Sequence, residues 1–291
     1  MRRATRVFAP VPVALLAALS FGACSSDDGD SASPDTTEAA ETTSTTVAAD
    51  TGCVTAETGP LQILLVNDDG MVNPAIDVMI DRLSQNEDFE LTVVAPADEK
   101  SGSSDRTTEG GATYEEATTP GGNEGYAVDG FPADAVLVAL DDLGLEPDLV
   151  VSGINPGHNF GPLASLSGTV GVGRTAIRRD VPALAMSAGL ELDDAQFGWG
   201  ADFAADWIEE NCEALIGGEF QTDTVTSVNI PTCPPEEMGP LQEVPRAEVV
   251  PELPEGESVF VSLCDLTPDP ADDIAAVRAG YPSLTQVPAD I

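Results

Sequence analysis

A three-layer α/β/α sandwich on a mostly parallel sheet is the architecture this chain predicts. Apolar runs such as Ile63-Leu64-Leu65-Val66 and Leu149-Val150-Val151 show no polar alternation, as expected of strands covered on both faces. Segments with helical periodicity separate the runs, and strands alternating with helices are the pattern of parallel βαβ units. Polar clusters follow several runs directly, at Asn67-Asp68-Asp69-Gly70, at Lys100-Ser101 and from Asn155 to Asn159. In an open parallel sheet such clusters share one edge, and ligands bind there where strand order reverses.

The first strand, at 63–66, runs into the acidic turn. Asn73 then stands as a cap and Pro74 at a first helical position, before Ile76, Met79, Ile80 and Leu83 recur at helical spacing. A second strand is expected at 91–96. The Gly-, Ser- and Thr-rich stretch 101–123 reads as a loop with an irregular hairpin excursion. A helix at 132–143, a strand at 148–153, a polar turn at 154–159, a small-residue helix at 168–178 and a strand at 182–186 follow. Beyond them the pattern gives a helix at 201–215, a strand at 225–230, a further strand at 258–263 and a short helix at 272–278.

The N-terminus speaks to compartment. Arg2, Arg3 and Arg6 precede an apolar run at 11–19 that is too short to span a bilayer and reads as a signal peptide. Gly22 and Ala23 then precede Cys24 in the manner of a lipobox, with Phe21 at the position where Leu is usual. Residues 1–23 are therefore expected to be a lipoprotein signal peptide, with Cys24 the acylated residue. The Ser-, Thr-, Asp- and Glu-rich stretch 24–55 has too few large apolar residues to offset the entropy of ordering and reads as a tether. Residues 56–291 form the domain, with a core at 62–188 and an extension at 189–291. The expected location is the outer face of a bacterial membrane, held by lipid. No transmembrane helix is expected in the mature portion.

Acidic residues number 51 against 11 basic ones, a net charge of -40, and Lys100 is the only lysine. Such a field repels nucleic-acid polymers and anionic surfaces. It also repels small phosphate esters unless the site supplies positive charge, which makes a bound cation an economical expectation. Beyond Cys24 the cysteines are Cys53, Cys212, Cys233 and Cys264. An even number in an exported domain implies two disulfides, and the three pairings stay open. Zinc is disfavoured, because no two cysteines are close in sequence and His158 is the only histidine.

Adjacent carboxylates repel unless a cation or a shared proton intervenes. Asp68 and Asp69 with the neutral oxygens of Ser101 and Asn155 make a hard-oxygen set suited to magnesium or manganese. Such an ion polarises a phosphoryl oxygen and activates water, so hydrolysis of a phosphate monoester is the chemistry implied. Ser167-Gly168-Thr169 opens the small-residue helix, whose N-terminal N–H groups and neighbouring hydroxyls can take an anion. Taken alone, the Asp-Asp-Gly turn and the Ser cap also have ordinary structural readings. His158, inside a site loop, is expected at the rim without a catalytic role. Lys100 and Arg106 are expected in solvent, and Arg174, Arg178 and Arg179 along their helix away from its anion-binding end.

The ordered set Asn67-Asp68-Asp69-Gly70, Ala95-Pro96 with Ser101-Gly102, Val128-Asp129-Gly130-Phe131-Pro132-Ala133-Asp134, Pro147 through Asn155 with Gly157 and Asn159, and Ser167-Gly168-Thr169-Val170 resembles the SurE (survival protein E) family over 62–188. The resemblance continues through Val228-Asn229-Ile230-Pro231 and Gly280-Tyr281 with Leu284-Thr285. It implies a SurE-like, Rossmann-like sandwich with a small C-terminal extension. It also implies one divalent metal, Mg2+ or Mn2+, on Asp68, Asp69, Ser101 and Asn155. Asp68 and Asp69 would be the catalytic pair, and Asn159, Ser167, Gly168 and Thr169 would lie near the phosphate. The implied activity is removal of phosphate from nucleoside 5′- and 3′-monophosphates.

The chain departs from the family in having Leu166 where Tyr is common and Phe131 within a Gly-Thr-Pro motif, and neither position is a metal ligand. The segment between Ile230 and Asp272 is short for a family that often uses this region in arms exchanged between subunits, so dimer and tetramer stay open. Two other functions fit the same features. One is a lipid-anchored nucleotide or phosphate receptor without turnover, and the other is a broad acid phosphatase. A haloacid-dehalogenase mechanism is disfavoured, because it wants an acid two residues after the nucleophilic Asp.

Overall fold

The first apolar run forms β1 (Leu61–Val66), buried throughout except for a half-exposed Gln62. Leu61, Ile63 and Leu65 face one hydrophobic core while Leu64 and Val66 face another, so the sheet is covered on both sides as the unbroken run implies. The structure, a computed structural model, describes residues 54–55, 58–190 and 194–291. The leader, Cys24, the tether as far as residue 53, and Cys53 lie outside the described residues.

Asn73 Oδ1 accepts the Ala75 N–H at 2.9 Å and starts α1 (Ala75–Leu83), one residue later than Pro74 would place it. Ile76, Met79, Ile80 and Leu83 cover the first core together with α4 (Asp194–Ile216). β2 (Phe89–Pro96) follows α1 and pairs parallel to β1. The loop region then makes a true hairpin of β3 (Thr113–Thr118) and β4 (Glu124–Asp129), and β4 joins β2 in parallel.

α2 (Pro132–Leu137), continued by a π-helical turn at Val138–Asp142, and α3 (Gly168–Ile177) cover the opposite face. β5 (Leu149–Pro156), β6 (Ala183–Ala188) and β7 (Thr224–Ile230) extend the parallel sheet on the other side of β1. Strand order therefore reverses between β1 and β5, and Asp68 and Asn155 lie at those two carboxyl ends.

The C-terminal segment departs from expectation in one element. Residues 258–263 form turns and coil, not a strand. β9 (Ser283–Pro288) runs antiparallel to β7 and carries β8 (Gln242–Glu243) outside it, so that edge is already taken. Val259 and Phe260 pack instead on a small third core of Phe160, Ala247, Ile274 and Val277, the last two from α5 (Asp273–Ala279). None of the described helices is long and apolar enough to cross a membrane.

Cys233 and Cys264 form a disulfide across 31 residues, and Cys212 is also disulfide-bonded. Closing a loop of that length restricts the unfolded chain by about 4 kcal/mol in the chain-entropy model. The double variant Cys233→Ser/Cys264→Ser is expected to lose stability on that scale in denaturant titration, with a raised m-value because the freed unfolded chain exposes more surface. A loss under 1 kcal/mol would show that the unfolded chain is already restrained there.

Candidate active site

β1 delivers the chain into a turn closed by Asn67, whose Oδ1 accepts the Gly70 N–H at 3.0 Å and whose Nδ2 donates to the Gly70 carbonyl at 3.3 Å. Gly70 has φ +91°, and a Cβ there would stand 2.8 Å from the Asp98 carbonyl carbon. The Asp68 carbonyl accepts the Lys100 N–H at 2.7 Å, which ties this turn to the loop after β2. Glycine at 70 thus lets the two loops close on each other.

Ser167 caps α3, its Oγ accepting the Val170 N–H at 3.0 Å. The helix begins directly against Asp68: Thr169 Oγ1 donates to Asp68 Oδ1 at 2.8 Å, and a Cβ on Gly168 would lie 2.7 Å from Asp68 Oδ2. Burial pushes the Asp68 carboxyl up, opposed by the hydrogen bonds from Thr169. Its neighbour is worse placed. Asp69 is 7% exposed, its Oδ2 is buried without a hydrogen-bond partner, and its pKa is pushed up to about 7 by burial, then by the charges of Asp68 and Glu99.

An unpaired buried carboxylate oxygen beside a second carboxylate is costly unless positive charge joins it. Among the described residues no three His, Cys, Asp or Glu side chains group closely enough to hold a metal, so an ion here would need neutral oxygens as well. The cleft supplies them. Asn155 Nδ2 donates to the Gly157 carbonyl at 2.7 Å, which leaves Oδ1 available to a ligand, and Ser101 lines the same cleft. This donor set fits a hard divalent ion such as Mg2+ or Mn2+.

Asp68, Ser101, Asn155, Asn159 and Ser167 all border one cleft of about 300 Å3. Asp69 lies beside Asp68 without lining that cleft, and Gly168 and Thr169 back Asp68 from α3. Asn159 is held from three sides: Nδ2 donates to Ser187 Oγ at 2.8 Å and to Thr169 Oγ1 at 3.3 Å, and its N–H reaches Asn229 Oδ1 at 2.7 Å. A larger hollow of about 580 Å3, bordered by Glu116, Glu124 and Tyr126 at the β2, β3 and β4 edge, holds none of these groups. Asp68, Ser101 and Asn155 lie on the smaller cleft.

His158 borders the cleft as expected, but buried beneath its rim rather than in solvent. It is 3% exposed, Nε2–H donates to the Ile230 carbonyl at 2.7 Å, and the ring stacks on Phe160 at 5.1 Å. Burial lowers its pKa to about 4, only partly offset by the bond to Ile230, so it is neutral near pH 7. Sequence reasoning passed over Glu99, and it named Asn229 only within the Val228–Pro231 motif without giving it a place at the site. Glu99 accepts the Ser101 N–H at 2.8 Å, and hydrogen bonds from Ser101 hold its carboxyl below the usual range. Its position two residues before Ser101 could have marked it.

The arginines of α3 keep away from the cleft, as anticipated. Arg174 and Arg178 pair with Asp105 at 3.1 and 2.8 Å, while Arg179 pairs with Asp141. This clamps the loop after Ser101 onto α3, and at Gly171 a Cβ would lie 2.1 Å from the Ser104 carbonyl oxygen. Gly171→Ala is therefore expected to displace the loop and lower stability by about 1–3 kcal/mol, read by urea unfolding. An unchanged midpoint would mean that the loop yields freely.

Fold and cleft together define a doubly wound α/β protein whose oxygen-rich cleft sits at the strand-order reversal, with the N-terminus of α3 against the Asp68 carboxylate. The chain belongs to the SurE family: the family model described as "Survival protein SurE" matches residues 63–248. It is 32% identical over 237 residues to the 5′-nucleotidase SurE of Dehalococcoides mccartyi (strain CBDB1), covering 77% of this chain and 88% of that one. It is 38% identical over 177 residues to the 5′-nucleotidase SurE of Halobacterium salinarum (strain ATCC 29341 / DSM 671 / R1), covering 58% and 65%. The crystal structure of the SurE protein from Aquifex aeolicus superposes with a TM-score of 0.63 at 26% identity, covering 79% of this chain and 94% of that one.

Proposed function

We propose that this protein is a divalent-metal-dependent phosphomonoesterase that hydrolyses nucleoside 5′- and 3′-monophosphates to nucleoside and phosphate. The observation that carries the reading is the buried, unpartnered Asp69 Oδ2 beside Asp68, set against the N-terminus of α3. Relatives named as 5′-nucleotidases support the substrate class.

Asp68, Asp69, Ser101 and Asn155 would hold one Mg2+ or Mn2+ per subunit. When bound, such an ion supplies the positive charge that polarises a phosphoryl oxygen and favours ionisation of water. The chain's own groups do the rest. The positive end of the α3 dipole favours the phosphate's negative charge, with the Ser167 and Thr169 side chains beside it. Thr169 fixes the Asp68 carboxylate, and Asn159, braced by Ser187 and Asn229, presents a rigid edge to the phosphate. His158, neutral and bonded to Ile230, brings no proton at neutral pH.

Export and lipid anchoring at Cys24 belong to the same reading, supported by the basic start, the short apolar run and the small residues before Cys24. The decisive experiment is phosphate release from 5′-AMP and 3′-AMP by the purified protein with Mn2+, Mg2+ or EDTA. Release with a cation and none with EDTA is expected. Tight AMP binding with no release under any cation would overturn the reading in favour of a receptor.

A further inference from the structure

Asn159, which the reading above sets against the phosphate, sits on the loop between β5 and α3, and that loop is held from the far end of the chain. Gly161, two residues on, gives its N–H to Asp273 Oδ2 at 2.8 Å across 112 residues, and its carbonyl accepts from Arg246 Nη1 at 3.2 Å. A Cβ on Gly161 would stand 2.9 Å from Ile274 Cδ1 and 3.2 Å from Ala247 Cβ, so the loop is seated directly on the start of α5. Phe160, between Asn159 and Gly161, is fully buried in the third core with Ile274 and Val277. In such close packing the loop does not shift at Gly161 without moving Asn159.

Asp273 is 1% exposed, and nothing in the proposed hydrolysis uses it. A buried carboxylate is costly unless it is fully hydrogen-bonded. Three backbone N–H groups serve this one: Gly161 on Oδ2, and Ala247 and Ile274 on Oδ1 at 2.9 Å each. Burial pushes its pKa up, and the three bonds oppose that rise. A carboxylate kept inside at such a cost is more than α5 needs for itself. Asp272 already caps that helix, its Oδ1 accepting the Ala275 N–H at 2.8 Å.

We propose that Asp273 is a positioning residue of the site: through Gly161 it fixes Asn159 from the C-terminal segment, and so sets how tightly the phosphate is held. Asn229 secures the other side of the same loop, its Oδ1 taking the Asn159 N–H at 2.7 Å. What the loop holds rests on the phosphomonoesterase reading; how the loop is held does not. A contact made alike to substrate and transition state changes KM and leaves kcat.

Asp273→Asn isolates the link to Gly161. The amide keeps the size of the carboxylate, and with its oxygen on the Ala247 and Ile274 N–H groups it turns an NH2 towards the Gly161 N–H, donor against donor. KM for AMP with Mn2+ and the competitive inhibition constant of inorganic phosphate should both rise about tenfold, with kcat within about twofold. Hydrogen exchange in the cation-free protein should become about tenfold or more faster at the Gly161 and Asn159 amides. Arg246→Ala removes the donor to the same glycine's carbonyl and should raise both constants about two- to threefold, which keeps the test open if Asp273→Asn fails to fold. Asp272→Ala is the control: it uncaps α5 and lowers stability, but leaves both constants where they are.

Unchanged KM and phosphate inhibition in Asp273→Asn and Arg246→Ala overturn the inference. So does an equal rise in Asp272→Ala, which would mark a general loss of stability. If the wild type releases no phosphate from AMP, the phosphomonoesterase reading fails on its own account. Exchange then decides: unaltered protection at Gly161 and Asn159 overturns the positioning role, and faster exchange at those amides in Asp273→Asn but not in Asp272→Ala upholds it.

Discussion

Asp69→Asn is expected to lower kcat for AMP by about 10³-fold or more, with the protein folded. The substitution keeps the shape of the side chain and removes the charge that a divalent ion would need. Stability separates this from simple damage. The Asp69 pKa rises from 3.8 to about 7 in the folded chain, so between those values the folded state holds a proton that the unfolded state has released. The cation-free protein therefore loses stability as pH climbs through that window. Asn does not titrate. The variant should be at least as stable as the cation-free wild type at pH 8, as is common where activity requires a strained charge. Mn2+ should raise the melting temperature of the wild type and leave that of the variant unmoved. Undiminished turnover in Asp69→Asn would remove Asp69 from the catalytic pair.

His158→Gln is expected to flatten the acid side of the stability profile. His158 has its pKa lowered from 6.5 to about 4. A depressed histidine contributes stability that is fully present above 6.5 and drains away as pH falls from 6.5 through 4, because only the unfolded chain takes up the proton readily. Complete passage through the window is worth about 3 kcal/mol. Urea unfolding at pH 7.5 and 4.5 should show the wild type losing about 2–3 kcal/mol more than the variant. Gln also forfeits the stacking on Phe160, so the variant starts lower at pH 7.5, and only the difference in slope reports the histidine. Parallel profiles would mean that the ring is hydrated in solution. Turnover at pH 7 should persist in His158→Gln, since a neutral, buried imidazole is no proton donor.

Much of the fold was legible because its signals are local. The run at 63–66 lacks alternation and so had to be covered on both faces, and Asn73 with Pro74 marked the start of α1 to within a residue. The strand expected at 258–263 shows where local signals stop. Its composition suits a strand, but a strand needs a free edge, and β9 with β8 had taken it. The hairpin was anticipated only as an excursion. Its second strand, Glu124–Asp129, became part of the parallel sheet through pairing with β2, which no local pattern encodes.

The site divides the same way. That Asp68, Asp69, Ser101, Asn155, Asn159 and Ser167-Gly168-Thr169 belong near one another followed from the sequence, because each lies just past an apolar run or at the start of a helix, and a parallel sheet points such positions to one edge. Only the tertiary structure left Asp69 Oδ2 without a partner, buried His158 against Ile230 and Phe160, and brought Phe260 to the mouth of the cleft. Burial, desolvation and the pairing of a donor with an acceptor are set by which distant segments meet, and that is decided when the whole chain packs.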